Sequence, residues 1–167
     1  MSESQDHAKR WTTLIVSDTD AALDLYADEL QYDDRRDNDH VYDTATNKDE
    51  LRERIAPFAN VDPGSGLGIH DFEILDVLES VGAQGSRAVV ILWRWTGKSL
   101  PTFRGVPTKG TTLSTRGQTW HQLDADGKIV RESTFWNDVP VFQELGLPVL
   151  TPHYWDADFD PSSLLPS

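Results

Sequence analysis

Four side chains of this sequence are candidates for proton-transfer chemistry: His70, Glu132, Tyr26 and Tyr32. His70 falls in a predicted strand over 68–79, where alternation places it on the more apolar of the two faces. In apolar surroundings an imidazole or a carboxyl group can exchange a proton with a substrate, and a tyrosine hydroxyl can donate a hydrogen bond to a developing oxyanion. These residue types therefore indicate general acid–base catalysis.

Each candidate also has a purely structural explanation. His70 can be a hydrogen-bonded histidine of the core. Glu132 shares a strand face with Thr134, which predicts an inward carboxylate, but an ion pair with Arg94 or Arg116 across the sheet would explain it as well. The two tyrosines can be core residues whose hydroxyls find a partner. The sequence leaves both explanations open for every candidate.

The bulk composition argues against several classes of function. The 167 residues include 15 Lys and Arg against 28 Asp and Glu, and the resulting net charge of −13 disfavours nucleic acid and anionic membranes as partners. No cysteine is present, which removes disulfides, thiolate metal sites and thiol nucleophiles. The histidines are scattered and no Gly-rich loop precedes a helix, so neither a metal nor another cofactor is predicted. With no signal sequence and no apolar run of about 18 residues, we expect a cytoplasmic protein.

Helical periodicity dominates the first part of the chain. It predicts a helix over 7–16 and a second helix that is capped near Ser17 and Asp18 and carries Ala21, Ala22, Leu25 and Tyr26. A short strand over 30–34 and a polar loop over 35–46 follow. A third helix is capped by Thr46 or Asn47 and is bent or ended at Pro57. The run Asp33-Asp-Arg-Arg36 inside this region is interpreted as a salt-bridge cluster that holds the loop.

Strands dominate the second part and follow one another with no helix between them. They are predicted over 68–79, 87–96, 111–124 and 129–136, and the last two are joined by a two-residue turn at Asp126-Gly127. This arrangement predicts an α+β fold in which a curved antiparallel sheet packs on N-terminal helices. Residues 1–147 form the predicted domain, and 148–167 form an acidic, aromatic tail pinned to that domain or to a partner subunit.

Short motifs occur in a characteristic order in this second part. They are Phe103-Arg-Gly-Val-Pro-Thr-Lys-Gly110, Gly117-Gln-Thr-Trp-His-Gln-Leu123, Asp126-Gly-Lys-Ile-Val130, Phe135-Trp-Asn137 and Gln143-Glu-Leu-Gly146. Their order resembles the SnoaL-like branch of the nuclear transport factor 2-like superfamily, which includes polyketide cyclases and ketosteroid isomerase-like proteins. The resemblance implies a conical pocket between helices and sheet, in which ionisable side chains carry out proton transfer without a metal.

The resemblance also implies particular catalytic residues. Dehydratase-like and dehydrochlorinase-like relatives use a His/Asp pair, and Asp18 matches the acid that would support His70. A carboxylate on one ring nitrogen fixes the tautomer and raises the basicity of the other nitrogen. The alternative is that Asp18 is only a helix cap.

The chain departs from the cyclase pattern at its two principal catalytic positions. Gln118 matches the glutamine of those enzymes, but Trp120 stands where their histidine is expected and Thr134 where their aspartate is expected. His121 is one residue out of phase and is expected to face away. Arg94 resembles the arginine of epoxide hydrolase relatives, whose carboxylates are missing here. The ring-closing chemistry of the cyclases is therefore not carried over.

We expect a cofactor-independent lyase, isomerase or cyclase that acts on a small, mostly apolar metabolite such as a polyketide, steroid or terpenoid. The alternative is a non-catalytic module of the same fold that binds a hydrophobic ligand or serves for dimerisation. A homodimer is expected from the resemblance. The predicted catalytic residues are His70, Asp18, Glu132 and Tyr32, and the predicted substrate-binding residues are Tyr26, Arg94, Gln118, Trp120, Thr134 and Trp136.

Overall fold

The computed structural model describes residues 2–36, 40–81, 86–148, 158 and 160. In chain order the described elements are α1 (Glu3–Ile15), α2 (Thr19–Leu23), β1 (Tyr26–Arg36), β2 (His40–Asn47), α3 (Lys48–Ile55), a 3₁₀ turn (Ala56–Phe58), β3 (Ile69–Val81), β4 (Arg87–Lys98), β5 (Thr102–Phe103), β6 (Val106–Pro107), β7 (Leu113–Leu123), β8 (Ile129–Trp136) and α4 (Val139–Glu144). The predicted tail falls almost entirely outside the described residues.

The helices begin where side chains satisfy their first backbone N–H groups. Ser2 and Gln5 form a reciprocal capping box, so α1 starts at Glu3 and not at the predicted residue 7. Asp18 caps α2 by accepting from the backbone N–H of Ala21, and Asn47 caps α3 in the same way. The second helix contains the predicted Ala21 and Ala22 but ends at Leu23, before Leu25 and Tyr26, which were also predicted to lie in it.

A six-stranded sheet in the order β2-β1-β8-β7-β4-β3 forms the body of the protein. Every adjacent pair is antiparallel except β1 with β8, which run parallel. Helix α1 packs on β3, and α3 packs on β1 and β2. The predicted α+β fold, a curved and mostly antiparallel sheet packed against helices, is confirmed.

Two local predictions are wrong. The segment 35–46 is not a polar loop, because β1 continues to Arg36 and pairs with β2 from His40 onward. The turn between β7 and β8 is not a two-residue turn centred on Asp126 and Gly127, because the N–H of Gly127 donates to the carbonyl of Asp124. Of the turn residues only Gly127 has a positive φ, at 76°. A tight turn followed by one left-handed glycine explains this longer connection.

Bulky indoles on the inner face are accommodated by glycine on the neighbouring strand. Gly117 pairs with Trp93 on one side and with Trp136 on the other, and the ring centroids of these two tryptophans lie 4.7 Å apart. A Cβ atom at Gly117 would lie 2.2 Å from the Trp93 ring and 2.4 Å from the carbonyl oxygen of Phe135. The aromatic packing therefore requires glycine at this position.

We expect Gly117→Ala to lower the free energy of unfolding by about 1–3 kcal/mol, because neither the indole nor the backbone oxygen can move away cheaply. Urea denaturation followed by circular dichroism measures the change. Gly64→Ala is the matched control, since its Cβ would meet only a flexible Asp62 oxygen at 3.3 Å. We expect the control to stay within about 0.5 kcal/mol of the parent. Equal effects of the two substitutions would contradict the steric explanation.

Candidate active site

A buried carboxylate, Glu132, lies at the centre of a polar network inside the fold. Its side chain is only 2% exposed and accepts hydrogen bonds from Tyr26 Oη at 2.5 Å, from His121 Nε2 at 3.0 Å and from Thr134 Oγ1 at 2.9 Å. Trp11 Nε1 donates to the Tyr26 hydroxyl at 3.0 Å. Burial and the neighbouring Glu132 raise the pKa of Tyr26, so its phenol stays protonated as a donor.

The network continues from Glu132 toward helix α1. His121 Nδ1 lies 2.9 Å from Nε2 of His7, and His121 itself is fully buried. One tautomer set satisfies every atom: His121 donates from Nε2 to Glu132 and accepts at Nδ1 from His7. Burial, followed by the neighbouring His121, lowers the pKa of His7 to about 3. His7 is therefore neutral in the folded protein near neutral pH.

A small cavity lies beside this network. Its volume is about 20 Å³, enough for one water-sized group, and Glu132, Thr134, Tyr32 and Asp34 contribute polar groups to its wall. Parallel pairing of β1 with β8 sets Tyr32 opposite Glu132 and Asp34 opposite Thr134. We call this space the inner cavity. It brings together two carboxyl groups from neighbouring strands, with the Tyr32 and Thr134 hydroxyls beside them and apolar side chains around them.

Asp34 differs from Glu132 in how its carboxyl group is satisfied. One oxygen accepts from Arg36, whereas the other, Oδ1, is buried and has no hydrogen-bond partner among the described residues. Burial raises the pKa of Asp34 to about 7, although Arg36 and Arg104 oppose the shift. A carboxyl group with this pKa is present in both protonation states near neutral pH, as a general acid or base requires.

A larger cavity of about 210 Å³ lies next to the inner one, and we call it the mouth. Phe58 and Trp136 line both spaces and so stand between them. The remaining wall of the mouth is formed by Arg36, His70, Trp95, Leu100, Thr102, Phe103 and Arg104. An aromatic chamber with two guanidinium groups thus leads toward a carboxyl group that lacks one partner.

The predicted pair of His70 and Asp18 does not form. Asp18 is the exposed cap of α2. His70 does lie on the inward face of β3, at the mouth, but its Nδ1 accepts from Trp95 Nε1 at 3.1 Å and its Nε2 lies 3.1 Å from the carbonyl oxygen of Leu67. Burial lowers the pKa of His70. Both ring nitrogens of this neutral imidazole are engaged in holding the strand edge, which leaves no nitrogen to accept a substrate proton.

The phase expected for β7 is also wrong. His121 faces inward with Thr119, whereas Gln118 and Trp120 lie on the outer face of the sheet, where they line a depression with Arg131 and Phe135. Directly opposed residues of antiparallel strands share a face, and His121 opposes Glu132. Counting back across the Asp126-Gly127 turn would have found this pairing.

The other predicted residues divide between the two faces. Tyr26, Tyr32, Thr134 and Trp136 are buried on the inner face, whereas Arg94 donates to Glu73 at 2.7 Å on the outer face and is remote from both cavities. The expected ion pair of Glu132 with an arginine is absent among the described contacts. Homodimerisation through the outer face stays a prediction.

Sequence reasoning missed three charged side chains that line the two cavities, Asp34, Arg36 and Arg104. The first two lie in the run interpreted as a salt-bridge cluster, and Arg36 does bind Asp34 there. Alternation along β1 places Tyr32, Asp34 and Arg36 on one face, which was the available indication. No pattern in the sequence could have placed Arg104 beside them, because it arrives from a hairpin more than 60 residues away.

Comparison with known proteins identifies the family. A family model described as a SnoaL-like domain matches residues 9–132. The chain belongs to this family. No curated protein matches the SnoaL-like chain. Among the described residues, no three side chains are placed to hold a metal ion together, and no helix has the length and apolar character for a membrane span.

Solved structures agree with the SnoaL-like assignment. A candidate SnoaL-like polyketide cyclase from Shewanella denitrificans OS-217 has a TM-score of 0.66 at 13% identity, covering 87% of this chain and 98% of that one. AclR, a candidate hydroxylase from Streptomyces galilaeus, has a TM-score of 0.64 at 16% identity, with 90% and 86% covered. The β subunit of benzoate 1,2-dioxygenase from Burkholderia mallei ATCC 23344 has a TM-score of 0.60 at 17% identity, with 81% and 89% covered. At these identities the likeness concerns the fold.

The low pKa of His7 leads to a prediction for acid stability. The folded protein keeps this imidazole neutral down to pH about 3, whereas the unfolded chain takes up the proton below its ordinary pKa of 6.5. The stabilising contribution is therefore present above pH 6.5 and is lost as the pH falls toward 3, with a slope of at most about 1.4 kcal/mol per pH unit for one proton.

We expect His7→Gln to flatten this dependence, because an amide cannot be protonated in this range and can still donate to His121. Urea denaturation at a series of pH values from 7 to 4 compares the two proteins. Carboxylate titrations affect both proteins alike and cancel in the difference. Parallel curves for parent and variant would show that His7 does not titrate on unfolding.

Proposed function

We propose that this SnoaL-like protein is a cofactor-independent enzyme that moves a proton on a small, mostly apolar ring compound, such as a polyketide, steroid or terpenoid. Asp34 is the general base in this proposal. The observation that carries it is the buried, unpartnered Oδ1 of Asp34 at the inner cavity, on a carboxyl group whose pKa is raised to about 7. Structural carboxyl groups are normally satisfied by donors on both oxygens, as Glu132 is.

Asp34 can replace the aspartate that is missing at position 134. Cyclase-like relatives are expected to carry an aspartate at position 134, where this chain has threonine. Strand register sets Asp34 directly beside Thr134, so a carboxyl group enters the cavity from β1 and not from β8. Proton transfer by a carboxylate near position 134 is therefore possible with Asp34 in place of the missing aspartate.

The proposed step is abstraction of a proton from a carbon next to a carbonyl group. The C–H bond breaks, its proton goes to Asp34 Oδ1, and the electron pair left on carbon delocalises to the carbonyl oxygen as an enolate. Return of the proton to another atom of the enolate completes an isomerisation, while loss of a leaving group or attack on a second carbonyl completes an elimination or a cyclisation. These reactions need no external oxidant or metal.

Tyr32 is the proposed donor to the enolate oxygen. It lines the inner cavity, is nearly buried, and its hydroxyl makes no hydrogen bond to another described residue. Burial, then the neighbouring Asp34 and Glu132, raise the pKa of Tyr32, so the phenol keeps its proton and can donate it in a hydrogen bond. The predicted catalytic role of Tyr32 thus remains part of the proposal, whereas the roles of His70 and Asp18 do not.

A non-catalytic binding module is the second candidate, and the size of the inner cavity favours it. A volume of about 20 Å³ admits only the reacting end of a substrate, with the body held in the mouth. Catalysis therefore requires Phe58 and Trp136, which stand between the two spaces, to move apart when a ligand enters. A binding module would fill the mouth alone and leave Asp34 shielded.

Hydrogen–deuterium exchange tests the catalytic proposal. The protein is incubated in D₂O with 2-tetralone and related cyclic ketones, and loss of the α-proton signal is followed by NMR. We expect exchange above the buffer rate that rises with pH and levels off above about 7, since only ionised Asp34 accepts a proton. Asp34→Asn should reduce the rate by at least about 100-fold.

Asp33→Asn is the matched control. Asp33 immediately precedes Asp34 on the same strand. Its carboxylate binds Arg35 and accepts a hydrogen bond from Ser133 at 2.7 Å, away from the inner cavity. The control should exchange at the rate of the parent protein. Absence of catalysed exchange with every ketone, or equal rates for the Asp34 variant and the parent, would leave the binding module as the function.

A further inference from the structure

The mouth concentrates positive charge in a protein whose net charge is −13. Arg36 and Arg104 both line it, and one carboxylate, Asp138, is shared between them. The contacts to Asp138 are 3.5 Å from Arg36 and 3.3 Å from Arg104. Tight charge-assisted bonds are about 2.7–2.9 Å long, so Asp138 satisfies neither guanidinium group well.

Unused donors remain on both side chains. Nε of Arg36 is buried without a hydrogen-bond partner among the described residues. Arg104 reaches Asp138 through Nε alone, so the two terminal nitrogens of its guanidinium make no described hydrogen bond. These nitrogens form the side of the fork that normally binds a carboxylate through two parallel hydrogen bonds. Nη2 of Arg36 binds Asp34 at 2.5 Å, so Arg104 has more donors without a described partner than Arg36 does.

The chain holds Arg104 in place at a conformational cost. Arg104 and Gly105 are the central residues of the turn between β5 and β6, with φ values of 50° and 80°. A turn with two positive φ values favours Asn-Gly, whereas arginine is disfavoured at its first position. Backbone strain of this kind persists where function requires the side chain. The Arg104 guanidinium lies over the Tyr42 ring at 3.9 Å, which fixes its plane at the entrance.

The walls of the mouth specify the rest of the ligand. Phe58, Trp95, Phe103 and Trp136 supply flat apolar surfaces around a volume of about 210 Å³. Such surfaces favour a planar body of one or two rings, which stacks on the indoles or packs against their edges. The charged groups of the mouth are thus cationic, and all of its apolar residues except Leu100 are aromatic.

We propose that the mouth binds an aromatic or fused-ring carboxylate, whose carboxylate group is held by the free side of the Arg104 guanidinium and by Arg36. This substrate class deepens the proposed function, because the same ligand would extend its carbonyl end toward Asp34. The carboxylate end stays at the entrance and the rings lie against Trp95 and Trp136, which contact each other edge to face.

Calorimetric titration with 2-naphthoate and its neutral analogue 2-naphthamide tests this inference. The two ligands share the ring system and differ in the charge of the attached group. We expect the parent protein to bind 2-naphthoate at least about tenfold more tightly than 2-naphthamide. Arg104→Asn should reduce this preference to about onefold, with a melting temperature equal to or above that of the parent, because Asn-Gly suits the turn. Loss of the preference with retained stability separates recognition from folding.

Arg94→Gln is the charge-matched control, since it removes one positive charge from the outer face and should keep the preference. Equal affinity of the parent for the two ligands, no binding of either, or an unchanged preference in the Arg104 variant would overturn the inference. The ketone exchange experiment fails or succeeds independently. Exchange without a carboxylate preference refutes only this inference, whereas a preference without exchange identifies the mouth as a binding site and refutes the catalytic proposal.

Discussion

The arrangement of helix α1 over the sheet depends on the burial of one carboxylate, Glu132. A buried charge is tolerated only when hydrogen bonds replace its hydration. The donors come from three different strands, and two of them, Tyr26 and His121, are in turn bound by Trp11 and His7 of the helix. Loss of any one partner would leave a buried polar group unsatisfied, so the network favours a single placement of the helix on the sheet.

The same network explains how two carboxyl groups in one small cavity can have different roles. Three donors satisfy both oxygens of Glu132, which is thereby committed to structure. Asp34 faces the cavity with one oxygen bound by Arg36 and the other without a partner. Pairs of acids whose surroundings differ in this way divide the roles of stabiliser and proton acceptor between them. The proposed base is therefore the carboxyl group that the network leaves out.

The family and the fold class could be predicted from the sequence, because motif order and hydrophobic periodicity are local properties of the chain. The site could be predicted only in part. Glu132 was found from the strand face that it shares with Thr134, and Tyr32 from its residue type. The phase of β7 was taken from motif positions, and a shift of one residue exchanged His121 for Trp120. Counting across the predicted two-residue turn gives the true pairing of His121 with Glu132, because the irregularity between Gln122 and Leu123 offsets the extra residue of the real turn.

Residues that come together through long-range pairing were beyond sequence reasoning. Asp18 was matched to His70 by its position in related sequences, yet a helix cap needs the same residue type and the structure uses Asp18 in that way. Asp34 stands beside Thr134 only because β1 and β8 run parallel, a pairing that joins distant segments. An acidic-basic run in a polar stretch is more often a surface ion-pair cluster, and only the alternation that places Asp34 and Arg36 on the face of Tyr32 indicated otherwise.

Aromatic packing decides how large a substrate this cone can accept. Trp93 and Trp136 meet over Gly117 on the inner face of the sheet. Only about 20 Å³ remains around the carboxyl groups, whereas about 210 Å³ remains at the mouth. In the proposed function, the mouth limits the size of the ligand and the inner cavity holds the reactive groups. A ligand that is held by charge at the entrance and by stacking along the walls would present only its far end to Asp34, and this geometry favours a reaction at one position of an extended, flat molecule.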